Sequence, residues 1–149
     1  MKQYLSTFSI LFFFIITSLA VAQDMPADAA KAYNEGNKFL KLGNYDDAVK
    51  QYNEALKIAK DYRIYYQLGI TLKKQGKLED AIDAFKNAIE VKKDFDIAYN
   101  GLGSTYFQIG KYEEAVDAFK KFADMTKQKS SKDKAKENLA LALVKLDTC

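Results

Sequence analysis

The stretch KLGNYDDAVKQYNEA, from Lys41 to Ala55, decides the fold. It returns as KQGKLEDAIDAFKNA from Lys74 to Ala88, and again as QIGKYEEAVDAFKKF from Gln108 to Phe122. Aligning Gly43, Gly76 and Gly110 gives steps of 33 and 34 residues, a period that belongs to solenoids built from helical pairs. In every copy a glycine ends one helix, because a residue without a Cβ accepts the left-handed turn. An aromatic or leucine, two acids and an alanine then open the next helix, with the acids in the first turn where the macrodipole favours negative charge.

Working outward, apolar and small residues recur at three- and four-residue spacing on both sides of each glycine, which is helix periodicity and not strand alternation. The spacing predicts helices over about Asp28–Leu42 and Tyr45–Ala59, Tyr62–Gln75 and Leu78–Val91, Asp96–Ile109 and Tyr112–Thr126. A seventh, about Ser131–Leu146, opens on Ser130-x-x-Asp133, a weak capping-box pattern, and carries Ala135, Leu139, Ala142, Leu143 and Leu146 as its apolar stripe. No further repeat follows it, so it is expected to cover the open end of the stack. The expected organisation is a segment 1–22, a linker 23–28, repeats at 29–61, 62–95 and 96–127, and a capping helix with tail at 128–149.

These residues resemble the tetratricopeptide repeat, a helix–turn–helix unit. Its small first-helix residue is matched by Gly36, Gly69 and Gly103, and the large residue three further on by Phe39, Leu72 and Tyr106. Its second-helix alanine is matched by Ala48, Ala81 and Ala115, the following aromatic by Tyr52, Phe85 and Phe119, and the closing alanine by Ala55 and Ala88. The resemblance covers about Ala29 to Lys127 and implies an all-α, right-handed α-solenoid of three repeats plus a C-terminal capping helix. Three departures stand out. The family's proline after the second helix is replaced by Lys60, Lys93 and Lys127, the first repeat is one residue short near Lys60–Asp61, and Phe122 takes the third closing-alanine position. The Phe122 ring is expected to hold the last helix at a wider spacing.

In the family, first helices line a concave groove that receives a peptide or a partner's helix. Carried onto this chain, the groove positions are Tyr33, Asn37, Leu40 and Lys41; then Arg63, Tyr66, Ile70, Lys73 and Lys74; then Ile97, Asn100, Ser104, Phe107 and Gln108. Aromatic anchors with a charged rim suit a protein-binding face. Tyr66 and Phe107 are expected to point into the groove rather than between paired helices. One version of this groove clamps the acidic tails of heat-shock chaperones through two carboxylates. Asn37 matches its first asparagine, while Tyr33, Gln67, Ile97 and Gly101 replace its other residues, which argues against that ligand class.

Composition narrows the chemistry. A formal charge of +3 and a single arginine, Arg63, among 23 basic residues leave few donors for bidentate phosphate recognition, which argues against nucleic acid. With no histidine and one cysteine, the common zinc, haem and Cys–His chemistries lose their ligands, so no cofactor is expected. The pairs Asp46-Asp47, Glu79-Asp80 and Glu113-Glu114 imitate catalytic dyads, but adjacent helical residues do not face each other. No enzyme activity is expected. Seven lysines between Lys120 and Lys136, against Asp124 and Asp133, read as a solubilising face, with contact to anionic lipid as the sharper alternative. Cys149 stands alone at the end of the chain, and an unpaired cysteine in an exported protein either bridges two chains or stays free.

The chain begins with the basic Met1-Lys2-Gln3, an apolar run from Leu5 to Ala20, and Ala20-Val21-Ala22 before Gln23-Asp24. This is the layout of a secretory signal peptide cleaved after Ala22, and no nearby cysteine permits a lipid-modified amino terminus. The rival is an uncleaved inner-membrane anchor, disfavoured by a run just under ~20 residues that several serines and threonines dilute. The expected protein is therefore an exported adaptor, most simply periplasmic, holding a peptide or helix of a partner envelope protein. Its alternative is a structural subunit that uses the convex face and the capping helix.

Overall fold

The computed structural model describes residues 25–148, and the expectations for residues 1–22 lie outside them. Seven helices follow one another: α1 (Ala27–Lys41), α2 (Tyr45–Ile58), α3 (Tyr62–Lys74), α4 (Leu78–Val91), α5 (Asp96–Gln108), α6 (Tyr112–Met125) and α7 (Lys129–Asp147). No strand occurs among the described residues. Helices 1–2, 3–4 and 5–6 pack as antiparallel pairs, and each pair stacks on the next, giving an α-solenoid.

The turn inside each pair is the same device three times. Gly43, Gly76 and Gly110 sit at φ 78°, 78° and 79°, where a Cβ would strain the chain. The amides of Asn44, Lys77 and Lys111 then donate back to the carbonyls of Phe39, Leu72 and Tyr106 at 2.9, 3.0 and 2.9 Å. This closure satisfies carbonyls that a helix end leaves without partners.

Close packing within a pair rests on glycine against an aromatic ring. A Cβ at Gly36 would meet the Tyr52 ring at 2.7 Å, one at Gly69 the Phe85 ring at 2.8 Å, and one at Gly103 the Phe119 ring at 2.8 Å. All three rings are buried. Phe85 is approached by two glycines, since a Cβ at Gly101 in the following repeat would meet the same ring edge at 2.7 Å. Buried hydroxyls are satisfied locally: Thr71 donates to the Gln67 carbonyl and Thr105 to that of Gly101, both at 2.8 Å.

The pairs are joined at the opposite ends of the helices. Residues 59–61 connect α2 to α3, where the Asp61 carboxylate accepts from the Arg63 amide at 2.8 Å and so caps α3. The α4–α5 connection, residues 92–95, is one residue longer. It seats Phe95 against Tyr62 and Tyr66, with ring centroids 4.7 and 5.3 Å away.

Three expectations about the C-terminal end need correction. The Ser130-x-x-Asp133 pattern does not cap α7, which begins at Lys129 behind an extended Gln128 with no side-chain cap bond. Thr126, buried where α6 ends, turns the chain early enough that helix resumes before Ser130. Phe122 is buried, yet α7 contacts α6 more extensively than α3 does α2, so the ring does not hold them apart. Finally, α7 buries Ala135 and Ala142 against α6 while Leu143 points outward, 40% exposed, beside Leu141 and Val144.

Candidate peptide-binding groove

The first helices line the inner side of the solenoid. Helix α1 touches α3, α3 touches α5 and α5 touches α7, whereas α2, α4 and α6 touch one another nowhere. Helices that approach on one side and diverge on the other make the first side concave. Two adjoining hollows lie along it.

The central hollow, about 400 Å³, runs between α3 and α5. Of the expected groove residues it brings together Tyr66, Ile70, Lys73, Lys74, Asn100, Ser104 and Gln108, over a floor that includes Phe85 and Gly101. A smaller hollow of about 110 Å³ adjoins it through Ser104 and is lined by Phe107, Phe119, Asn138 and Leu141. Its last two residues belong to α7 and were missed. The signal was present: Asn138 and Leu141 stand 34 residues beyond Ser104 and Phe107, so α7 lies where the first helix of a fourth repeat would lie. The Asn138 amide donates to Asn100 at 3.2 Å, fixing α7 beside α5.

Lys73 is the electrostatic centre of this wall. Its ammonium donates to the Ser104 hydroxyl at 2.7 Å, and Ser104 donates onward to the Gly101 carbonyl at 2.9 Å. The three ion pairs among the described residues are Lys38–Glu35, Lys57–Glu54 and Arg63–Asp61. Lys73 is thus half-buried with no carboxylate beside it, and burial pulls its pKa below the usual lysine value. A buried, unpaired charge is costly, so the site favours an anionic or strongly accepting group.

Other expected residues stand elsewhere. Tyr33 rests on the Tyr52 ring, centroids 6.1 Å apart, and Asn37 accepts from the Tyr52 hydroxyl at 2.7 Å. Burial raises the Tyr52 pKa, which keeps that phenol a donor. Leu40 packs on the core of the first two repeats, and Lys41 is exposed at the end of α1. Arg63 turns back on Asp61, bonding it at 2.9 and 2.7 Å. Ile97 lies at the start of α5 in a separate hollow with Met125 and Gln128. Tyr66 and Phe107 do reach the groove, but each also packs as core. Tyr66 leans on Phe85 at 5.8 Å and Phe95 at 5.3 Å, and Phe107 on Tyr112 at 5.4 Å. The acid pairs lie in the first turns of α2, α4 and α6. Among the described residues no cluster of His, Cys, Asp and Glu could hold a metal ion.

Comparison with known proteins agrees with this geometry. A family model described as tetratricopeptide repeat matches residues 66–130, and a second, described as TPR repeat, matches residues 36–76. No curated protein matches the sequence. Among solved structures, the Sgt2 TPR domain from Aspergillus fumigatus superposes with a TM-score of 0.73 at 22% identity, over 81% of this chain and 80% of that one. The TPR2B domain of yeast Sti1, in its pHsp70 complex, gives 0.72 at 24% identity, over 82% and 98%. A T3SS complex from Aeromonas hydrophila gives 0.76 at 18% identity, over 80% and 83%. At these identities the likeness speaks for the fold.

Proposed function

Since the chain belongs to the tetratricopeptide-repeat family, whose domains hold partner proteins and peptides, we propose that it is an exported adaptor. Its concave groove would hold a peptide or helix of a partner envelope protein. The observation that carries this reading is Lys73: a half-buried ammonium without a carboxylate, set in the wall of the central hollow beside Tyr66, Ile70 and Asn100. A partner segment that brings an acidic group to Lys73 and an apolar side chain to Phe107 and Leu141 would match both hollows. The acidic chaperone tails bound by similar domains fit this groove less well. Gly101 faces Phe85 where the clamp would need an arginine, and Ile97 lies in a separate hollow where it would need a lysine.

Export rests on the layout of residues 1–22, and amino-terminal sequencing from the native host should return Gln23. An intact Met1 would instead make the segment an anchor. No catalysis is assigned, because the acid pairs are helix-start residues without a shared target.

The test of the groove is Lys73→Met, combined with photo-crosslinking from the exposed rim position Gln108 in cells. Removing an unpaired buried charge should leave the fold as stable or more so, while a lost hydrogen-bonded charge of this kind weakens capture by ~1.5–3 kcal/mol, roughly ten- to a hundredfold. Undiminished crosslinking in the variant would refute the assignment. The second reading, a structural subunit, is favoured by Leu143 and Val144 exposed on α7. Loss of assembly on changing those two residues alone, with crosslinking from 108 intact, would select it.

A further inference from the structure

We propose that the edge of the solenoid where the repeats join is a membrane-facing surface that rests on an anionic phospholipid bilayer. Antiparallel packing sorts the helix ends onto two edges. One carries the glycine turns at 43, 76 and 110; the other carries the joints at 59–61, 92–95 and 126–128 together with the start of α1.

The joint edge exposes apolar side chains among lysines. Ile58 is 51% exposed, Val91 46% and Ile97 39%. Ile58 and Val91 border a hollow of about 440 Å³ with Met25 and Tyr62, and Ile97 borders one of about 490 Å³ with Met125. From 25 to 30, 57 to 62, 91 to 96 and 125 to 130 there are six lysines against four aspartates. One of those aspartates, Asp61, is already paired with Arg63. Lys60, Lys93 and Lys127 are fully available, and Lys92 sits 4.6 Å over the Tyr62 ring.

Charge separates the two edges where apolar exposure does not. The glycine edge also exposes Leu42, but from 41 to 47, 74 to 80 and 108 to 114 it carries six acids against four lysines. Basic clusters beside apolar side chains are drawn to anionic headgroups, and acidic ones are repelled.

The described chain begins on the same edge, at Met25. Met25 packs on the core beside Ile58 and Tyr62. The apolar run that ends at Ala20 is five residues earlier, at most ~18 Å along an extended chain. With Leu5–Ala20 in a membrane, a tether of that length only keeps the solenoid near it; the lysines and apolar side chains of the joint edge are what seat that edge, and the groove, on another face, stays open. Cleavage after Ala22 would leave the edge to bind peripherally by charge and apolar contact alone.

The test uses the full chain in vesicles, with Cys149→Ser and a single environment-sensitive fluorophore on Ile58→Cys or on Lys77→Cys. In phosphatidylethanolamine–phosphatidylglycerol vesicles, the probe at 58 should shift to the blue and be quenched by a headgroup-attached quencher, while the probe at 77 should not. In phosphatidylcholine vesicles, or after Lys60→Glu, Lys93→Glu and Lys127→Glu together, the difference should vanish with helicity unchanged. Equal quenching at 58 and 77 would mean that the solenoid tumbles on its tether and would overturn the proposal. So would a difference that persists in neutral lipid or in the triple variant.

Discussion

Replacing Gly101 by alanine sets two effects of opposite sign against each other. Gly101 lies in mid-α5, where alanine is favoured over glycine by ~1 kcal/mol through helix propensity. The new methyl would stand 2.7 Å from one Phe85 ring carbon and 2.9 Å from another, well inside van der Waals contact. Phe85 has little freedom to withdraw, because the same edge of its ring lies so close to Gly69 of α3 that a Cβ there would meet it at 2.8 Å. Overpacking of a pinned ring costs ~1–3 kcal/mol, and the pinning argues for the upper part of that range. The expected net change is a loss of about 2 kcal/mol, read as a lower urea midpoint with an unchanged slope and a Tm lower by roughly 5–10 °C. Shortening the ring should release the clash, so Gly101→Ala in a Phe85→Leu background should be close to neutral or stabilising. A Gly101→Ala single variant as stable as wild type would show that α3 and α5 separate easily, and that the joint between the second and third repeats is not set by this ring.

Removing α7 by truncation after Lys127 should leave a helical but less stable and aggregation-prone protein, since Ala115, Val116 and Phe119 then lose Ala142 and Leu139; an unchanged melt with unchanged solubility would show that α7 does not cover the stack. Asp61→Ala should cost about 1 kcal/mol near neutral pH, the usual value of a helix cap. Burial raises the Asp61 pKa, but the bonds from Arg63 outweigh it and hold the carboxyl below its ordinary value. Its stabilisation is therefore full above pH ~4 and is lost as pH falls through the lower folded value, so wild-type and variant urea midpoints should converge in acid. The pair Tyr66→Ala and Phe107→Ala should lower the melting temperature as well as any binding, given their packing on Phe85, Phe95 and Tyr112; a double variant that melts like wild type would return both rings to a purely groove-facing role.

The sequence showed the regular part of the molecule almost to the residue, because its determinants are local. A glycine at φ near 78° and an aromatic ring pressed on a glycine both follow from residue type and spacing. What it did not show arises where a residue answers to two neighbours. Tyr66 and Phe107 occupy groove positions in the repeat, yet the extra residue before α5 brings Phe95 against Tyr66, and Tyr112 covers one face of Phe107. Helix α7 was legible as a helix but not as part of the groove, since Glu137 stands where the other first helices have Gly36, Gly69 and Gly103. Among the described residues no second helix follows to pack on that side of α7, so no glycine is required there.

The same helix also lacks the turn that ends the other first helices. Counting on by the repeat period from Gly110 reaches Val144, inside α7 and more than half exposed. A β-branched residue in the left-handed region is a steric outlier, so the chain cannot reverse there and α7 runs on to Asp147. Helix α7 therefore departs from the first-helix pattern at Glu137 and at Val144. Val144→Gly, followed by a grafted second helix that repeats the sequence of α6, would convert a terminus into a splice point, and the length of the binding wall would become a quantity that can be set one module at a time.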